Sequence, residues 1–432
     1  MATELDFLSQ RAAREPKERF DNLMHHVNGG SLRANFYRLG RNRAVGVDGV
    51  SWQEYARNLE ANIGQLLGRM KRMGYRPQAV RRVYIPKSKG KTRPLGIPAI
   101  EDKIVQRTMV DIMEAIYEQD FHGCSYGFRP RRNCHQALWA VSKLINDRPI
   151  HHVIEADIRG FFDHVSHEKM VEMISRRITD TSFLRYVVRF LKSGYIEDGE
   201  LKPTVEGTPQ GGNLSPILAN IFLHYVLDDW FEKEIKPHLK GQSYLTRYCD
   251  DFVLLVQYKA EAQALLGKVR ERLKAYGLEL NEAKTRVLSF GYFERENAKK
   301  QHRKPNTFDF LGFTHYCSQT QRGRFKVGRK TSKQRLSRSC QVMGSWVKAV
   351  RNRMKLRELW PILAVKLKGH YQYYGVSDNR PGIEEFYQAT LRLVYKWVNR
   401  RSQMRSFNWE QFTGYLKRYP LPKPRIVCSF YT

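Results

Sequence analysis

Apolar and polar positions change period along the chain, and the changes predict its elements. The N-terminal stretch is mostly apolar at helical spacing and reads as amphipathic helix, interrupted at 45–50 by VGVDGV, whose two glycines suit a turn. Ser51-Trp52-Gln53-Glu54 then has the form of a capping box, which starts the next helix. HHVIEADIRGFFDHVSH opens with strand-like alternation and delivers Asp157 at the expected strand end, with Asp163 six residues later. SYLTRYCDDFVLLVQY reads as two apolar strands interrupted by Asp250 and Asp251, a hairpin with carboxylates at its turn. The polar runs ERENAKKQHRKP and QRGRFKVGRKTSKQR flank the short apolar segment FDFLGF and mark a boundary between about 292 and 335. Beyond it, Met343, Trp346, Val350 and Met354 recur at helical intervals, while Arg338, Lys348, Arg351 and Lys355 fall largely on other faces. The prolines of PLPKPR near the C-terminus stop any helix there.

Length and composition narrow the class. A chain of 432 residues exceeds one compact core and predicts two or three units, and 41% hydrophobic residues suffice to bury them. The formal charge of +32 predicts a polyanionic partner, nucleic acid ahead of a membrane surface. Residues 322 to 432 hold 25 Lys plus Arg against 5 Asp plus Glu, so a mixed-charge body carries a strongly basic C-terminal module. No apolar run approaches the roughly 18 to 20 residues of a transmembrane helix, and the N-terminus lacks an apolar signal core. The expectation is a protein that stays in its compartment of synthesis, cytoplasmic and ribonucleoprotein-bound, with no membrane partner. Six cysteines without a Cys-x-x-Cys pair argue against a zinc ribbon or a disulfide framework. His25-His26, His151-His152 and His164-x-x-His167 lack cysteine or acidic partners at zinc-site spacing and read as ordinary histidines.

The carboxylates carry the candidate chemistry. Alone, a Tyr-x-Asp-Asp hairpin is an ordinary turn, since Asp is a common turn residue. A second strand-end aspartate, Asp157, with a helical stretch and a glycine-rich loop in between, strengthens the metal-site reading. Nucleotidyl transfer uses two divalent ions to activate the attacking 3′-hydroxyl and to stabilise the leaving pyrophosphate. Magnesium completes its shell with water and substrate phosphate, so two or three carboxylates suffice.

From about residue 40 onward the order of motifs resembles the group II intron-encoded reverse transcriptase and maturase family, in its bacterial form without an HNH endonuclease. The motifs are VYIPKSKGKTRPLGIPAIEDKIVQ, SYGFRPRRNCHQAL at 125–138, the Asp157 strand, GTPQGGNLSPILANIFL at 207–223, the Tyr248-Cys249-Asp250-Asp251 hairpin, GLELNEAKTRV at 277–287, FDFLGFTHY at 308–316 and LKGHYQYYG at 367–375. NRRSQMRSFNWEQF at 399–412 resembles the tail of bacterial members. Cys249 stands where alanine is usual, which a small side chain tolerates.

The resemblance implies catalysis by Asp157, Asp250 and Asp251, with two Mg2+ ions held by Asp157, Ile158, Asp250 and Asp251 and with Asp251 towards the periphery. It implies deoxynucleoside triphosphate binding by Lys87, Arg93, Gln210 and Lys284. Phe162 becomes the gate that excludes a ribose 2′-hydroxyl, with Phe161 facing the core. Arg129, Arg131, Arg132, Gly211, Leu311, Gly312, Arg351, Lys355, Tyr373 and Tyr374 are implied for template, primer or intron RNA, with Trp397 and Trp409 as further stacking aromatics. Each motif also has a bland reading: an exposed basic hairpin at Lys87 and Arg93, an ordinary loop at Pro-Gln-Gly-Gly, a buried aromatic core for part of the tyrosines and tryptophans.

The expected fold is an α/β right-hand polymerase with a ferredoxin-like antiparallel palm and an all-helical thumb. The expected divisions are an N-terminal extension and start of the fingers at 1–75, fingers at 76–150, palm at 151–320, and a basic thumb, maturase domain and tail at 321–432. The expected activity is RNA-directed DNA polymerase with intron RNA binding and splicing assistance, partnered by structured intron RNA, an RNA template and a DNA primer or target. The alternatives are a reverse transcriptase exapted to defence or repair, and an RNA-binding splicing factor without polymerase role.

Overall fold

The capping box forms as expected: Ser51 Oγ accepts from the Glu54 amide at 3.2 Å and Glu54 Oε2 accepts from the Ser51 amide at 2.7 Å, opening the helix Trp52–Arg57. The turn before it uses Gly49 at φ +71°. The next helix, Leu59–Lys71, buries Leu59, Ile63, Leu66 and Met70 along one stripe. The computed structural model describes residues 2–86, 92–208, 211–401 and 406–430.

The strands are β1 Val80–Pro86, β2 Thr92–Ile97, β3 His152–Asp157, β4 Tyr195–Glu197, β5 Glu200–Lys202, β6 Ser243–Tyr248, β7 Asp251–Val256, β8 Arg286–Ser289, β9 Thr307–Phe310, β10 Phe313–Gln319 and β11 Phe325–Thr331. They form three sheets, ordered β2-β1-β4-β5, β6-β7-β3-β8 and β11-β10-β9. In the first, β1 pairs antiparallel with β2, placing Ile85 opposite Arg93, and parallel with β4. The third sheet is antiparallel throughout. In the second, β6 and β7 are joined by Cys249-Asp250 alone, a connection only an antiparallel pair accommodates. The fold is thus mixed helix and sheet with mainly antiparallel pairing.

Two compact units share the chain. One comprises Met1–Cys134, Ala156–Leu254 and Ala260–Arg286; the other comprises His135–Glu155, Leu255–Lys259 and Val287–Thr432. Strands β3, β7 and β8 each pass from one unit into the other. The first unit has the helix Ile100–Tyr117 at its centre, with twelve of its residues buried from Ile100 to Tyr117. The helix Ser215–Leu223 lies in the same unit and continues into a π-helical turn, His224–Asp228.

In the second unit the helices Lys333–Val350, Leu356–Tyr374, Arg380–Val398 and Trp409–Arg418 close on a core that includes Val347, Leu363, Leu367, Phe386 and Val394. The expected apolar stripe runs past the helix end: Met343 is buried, Trp346 and Val350 are half-buried against the core, and Met354 belongs to the turn after Val350, while the buried position between them is Val347. A second correction concerns the start of this region, expected to be all helix. Residues 325–331 are a strand, because Val327 and Arg329 alternate inward, and the inward charge hid the alternation. Arg329 is fully buried, donating to Ser142 Oγ at 2.5 Å and pairing with Asp378 at 3.3 Å.

Candidate active site

The Cys249-Asp250 turn places one carboxylate at the tip of the β6–β7 hairpin and Asp251 at the first position of β7. Cys249 sits at φ +59°, a left-handed conformation that a non-glycine residue holds only when its surroundings impose it. The imposing group is Arg247, fully buried on β6. Its guanidinium donates to Asp228 Oδ1 at 2.7 Å and Oδ2 at 2.5 Å, to Asn220 Oδ1 at 3.1 Å, to Ser125 Oγ at 2.9 Å and to the Cys249 carbonyl at 3.0 Å. Burial works against the charge on Arg247 and Asp228 more than offsets it, so the guanidinium stays ionised.

Behind the turn, residues 124–127 run alongside β6: the Arg247 amide donates to the Cys124 carbonyl at 2.8 Å and the Tyr126 amide to the Arg247 carbonyl at 2.9 Å. Gly127 is required here, since a Cβ would stand 2.6 Å from the Cys249 nitrogen. Asn220 donates to the Gly127 carbonyl at 2.7 Å and ties this segment to the same network.

Asp157 ends β3. Its Oδ2 accepts from Asn281 Nδ2 at 3.0 Å and Lys284 Nζ at 2.8 Å, and its carbonyl accepts from the Asn281 amide at 2.8 Å. GLELNEAK therefore docks on Asp157 through Asn281 and Lys284. Ile158 bridges to Leu280 with its side chain buried, so only its carbonyl can serve as a ligand. The Asp250 carboxyl lies above the usual range, chiefly from burial; its own amide opposes the shift, Asp157 adds to it, and Arg93 and Cys249 oppose it. Burial also pushes the Cys249 thiol up, which leaves it inert.

Two electrostatically coupled carboxylates, one of them buried, suit a divalent cation. Among the described residues no group of three or more His, Cys, Asp or Glu side chains is gathered to hold a metal ion, so Asp251 does not complete a triple cluster. Magnesium does not require one, because waters and phosphates supply the remaining ligands.

Phe162 follows Gly160 (φ +54°) in the short helix Phe161–His164. Phe161 is 1% exposed and packs edge-on against Phe222, whereas Phe162 is 9% exposed and lines a cavity of about 450 Å³ with Arg82, Gly96, Asp163, Tyr195 and Thr208. The Thr208 amide donates to the Phe162 carbonyl at 2.7 Å, so the glycine-rich loop backs onto this helix. Gly211 (φ +114°) approaches β2 so closely that a Cβ would lie 2.5 Å from the Gly96 carbonyl. A second cavity, of about 590 Å³, meets both glycines and is lined by Arg38, Arg43, Lys103 and Arg107 without any carboxylate. Arg93 is exposed on β2 and its charge reaches Asp250. Lys87 and Gln210 lie outside the described residues.

The other expected nucleic-acid residues separate. Arg129 is not available to a template or primer: it is 6% exposed, pairs with Glu118 at 3.0 Å and donates to the carbonyls of His122 and Ser125 at 2.8 Å each. Arg132 is half-buried over the Tyr126 ring and bonds the Gly123 carbonyl at 2.8 Å, while Arg131 is exposed. In the second unit, Leu311 (φ +50°) and Gly312 (φ +79°) turn β9 into β10. The structure brings Tyr373 and Tyr374 to this turn: Tyr373 Oη donates to the Leu311 carbonyl at 2.9 Å, and both rings face Phe313, at 5.9 Å and 5.3 Å. Arg351 and Lys355 lie at the turn between the first two C-terminal helices.

Arg247, Asp228, Asn220, Gly127 and Asn281 escaped the sequence reading. One signal was present: in SYLTRY, Ser243, Leu245 and Arg247 alternate on one side, and an arginine in the inward series demands a buried partner.

Residues 85–315 match the family described as reverse transcriptase (RNA-dependent DNA polymerase). Among curated proteins, the chain is 34% identical over 314 residues to protein YkfC of Escherichia coli K12, covering 65% of this chain and 82% of YkfC. It is 36% identical over 240 residues to the group II intron-encoded protein LtrA of Lactococcus lactis subsp. cremoris, covering 54% of this chain and 39% of LtrA. It is 41% identical over 152 residues to an uncharacterized 91 kDa protein in the cob intron of Schizosaccharomyces pombe, covering 35% of this chain and 18% of that protein. With more than half its length matched by the polymerase family, and with similarity to the group II intron-encoded protein LtrA and to a protein of the cob intron, the chain belongs to the reverse transcriptase family, the RNA-directed DNA polymerases, of the group II intron kind.

Proposed function

We propose that the chain extends a DNA primer along an RNA template from a site centred on Asp157 and Asp250. The observation that carries this reading is the placement of Asp157 at the end of β3 and of Asp250 immediately before its sheet neighbour β7, two acids on adjacent strands whose mutual repulsion a cation relieves. Asp157, Asp250 and the Ile158 carbonyl would hold magnesium, with Asp251 at the periphery; when bound, two ions would activate the primer 3′-hydroxyl and neutralise the departing pyrophosphate. Lys284, which pairs with Asp157 at 2.8 Å, passes to the triphosphate when substrate enters. Arg93, with Lys87 six positions earlier in sequence, grips the triphosphate oxygens. Phe162 stands under the sugar and rejects a 2′-hydroxyl by volume. These roles rest on residue chemistry and on the resemblance of the motifs.

The test is incorporation of dTTP on poly(rA) primed with oligo(dT) in magnesium. Asp250→Asn should abolish incorporation while RNA binding persists; equal activity in the variant overturns the assignment. A second reading, maturase, is favoured by the 25 cations against 5 acids in residues 322–432 and by the likeness to an intron-encoded protein. Splicing of the flanking intron RNA should accelerate when the protein is added, and Asp250→Asn should retain that effect.

A further inference from the structure

The helix Ile100–Tyr117 turns one buried polar side chain, Gln106, to the glycine-rich loop. Gln106 is 6% exposed, and its Oε1 accepts from the Asn213 amide at 2.8 Å. About one turn earlier on the same helix, the Lys103 carbonyl accepts from Asn213 Nδ2 at 3.2 Å. Asn213 is thus held by backbone and by side chain to a helix whose Ile104 and Val105 are fully buried, an anchor that does not yield.

The two glycines before Asn213 fit the same arrangement. A Cβ on Gly211 would lie 2.5 Å from the Gly96 carbonyl of β2, and a Cβ on Gly212 would lie 2.9 Å from Gln106 Oε1. Close approach of the loop backbone to both neighbours needs residues without a side chain. Upstream, the Gly207 amide donates to the Val165 carbonyl at 2.8 Å and the Thr208 amide to the Phe162 carbonyl at 2.7 Å. The loop is therefore fastened beside Phe162 at its start and against β2 and Gln106 at its end.

We propose that Gln106 is a positioning residue for the incoming nucleotide: it fixes the loop that carries Gln210 and backs Phe162, and through that loop it sets the affinity for the deoxynucleoside triphosphate. This rests on the reading of Gln210 and Phe162 as nucleotide contacts and adds the group that holds their loop in place. The side-chain oxygen carries the role, since an apolar side chain of similar size leaves the Asn213 amide without its acceptor and frees the loop end from the helix. Binding that is equal in substrate and transition state is read in KM and not in kcat. A residue that only stabilised the fold would lower the melting temperature and leave KM where it is.

The full chain is assayed by dTTP titration on poly(rA) and oligo(dT) in magnesium, with KM and kcat read separately and with thermal denaturation alongside. Gln106→Leu should raise KM about tenfold, the equivalent of about 1.4 kcal/mol and roughly one hydrogen bond, while kcat changes by less than about threefold. Gln106→Glu keeps an oxygen at the same place and should return KM to within about twofold of wild type. Gly212→Ala presses a Cβ on that oxygen from the loop, should also raise KM, and decides the matter if Gln106→Leu does not fold. An unchanged KM in folded Gln106→Leu, or in Gly212→Ala where it decides, overturns the proposal, and so does a KM that stays raised in Gln106→Glu. Gln210→Ala separates this from its premise: if that variant keeps the wild-type KM, the reading of the loop as a nucleotide contact fails instead.

Discussion

Replacing Arg247 separates the stability of the Asp250 hairpin from its positioning. A guanidinium has five N–H donors, and here each has an acceptor: both Asp228 oxygens, Asn220, Ser125 and the Cys249 carbonyl. Arg247→Met leaves the Asp228 carboxylate buried and unpaired, a change that costs about 3–5 kcal/mol. Adding Asp228→Leu removes the stranded charge, and two apolar side chains in place of a buried ion pair recover most of that loss. The double variant still leaves the Cys249 carbonyl without its donor, at about 1–3 kcal/mol. Cys249 then has nothing to impose its left-handed backbone, and Asp250 moves with it. A displacement of about 1 Å at a reacting group costs on the order of 100-fold in rate, about 2.7 kcal/mol of barrier. The assay is single-turnover extension on poly(rA) and oligo(dT) at saturating dTTP and magnesium, alongside thermal denaturation. The single variant should lose both stability and rate; the double variant should regain most of the melting temperature and stay at least 100-fold slow. A double variant with wild-type rate refutes the claim that Arg247 positions the turn.

Other outcomes follow from the same geometry. Phe162→Ala should admit ribonucleotides, read as the ratio of rATP to dATP incorporation on a poly(rU) template; an unchanged ratio counts against the gate. Gly127→Ala puts a Cβ 2.6 Å from the Cys249 nitrogen and should cost about 1–3 kcal/mol and most of the extension rate, with RNA affinity retained. Acid should destabilise the second unit through His315, whose folded pKa is lowered to about 3 by burial and by Arg329. A depressed folded value means that its stabilisation is complete above the ordinary histidine pKa near 6.5 and is lost as pH falls towards 3, by up to about 1.4 kcal/mol per pH unit. His315→Phe, which keeps a ring against Phe308, should flatten the fall of the urea midpoint between pH 6.5 and 4.5; identical pH profiles would exclude His315 as a source.

Features with a local signature were legible in the chain alone. The capping box at Ser51, the Asp250 hairpin, the strand ending at Asp157 and the basic C-terminal helices depend on residue spacing within one element, and period and turn chemistry report that directly. The order of motifs placed the chain in its family, and the comparisons agree. Tertiary structure decided what those residues touch. Arg247 meets Ser125 across 122 positions and Lys284 meets Asp157 across 127, pairings that no local pattern encodes. Burial made the difference at arginines, where sequence shows the same charge in each case. Arg129 is spent on Glu118, Arg329 sits inside a strand that read as polar linker, and Arg351 and Arg401 keep buried donors unfilled. A guanidinium takes its role from its acceptors, and the acceptors come from elsewhere in the chain once it has folded.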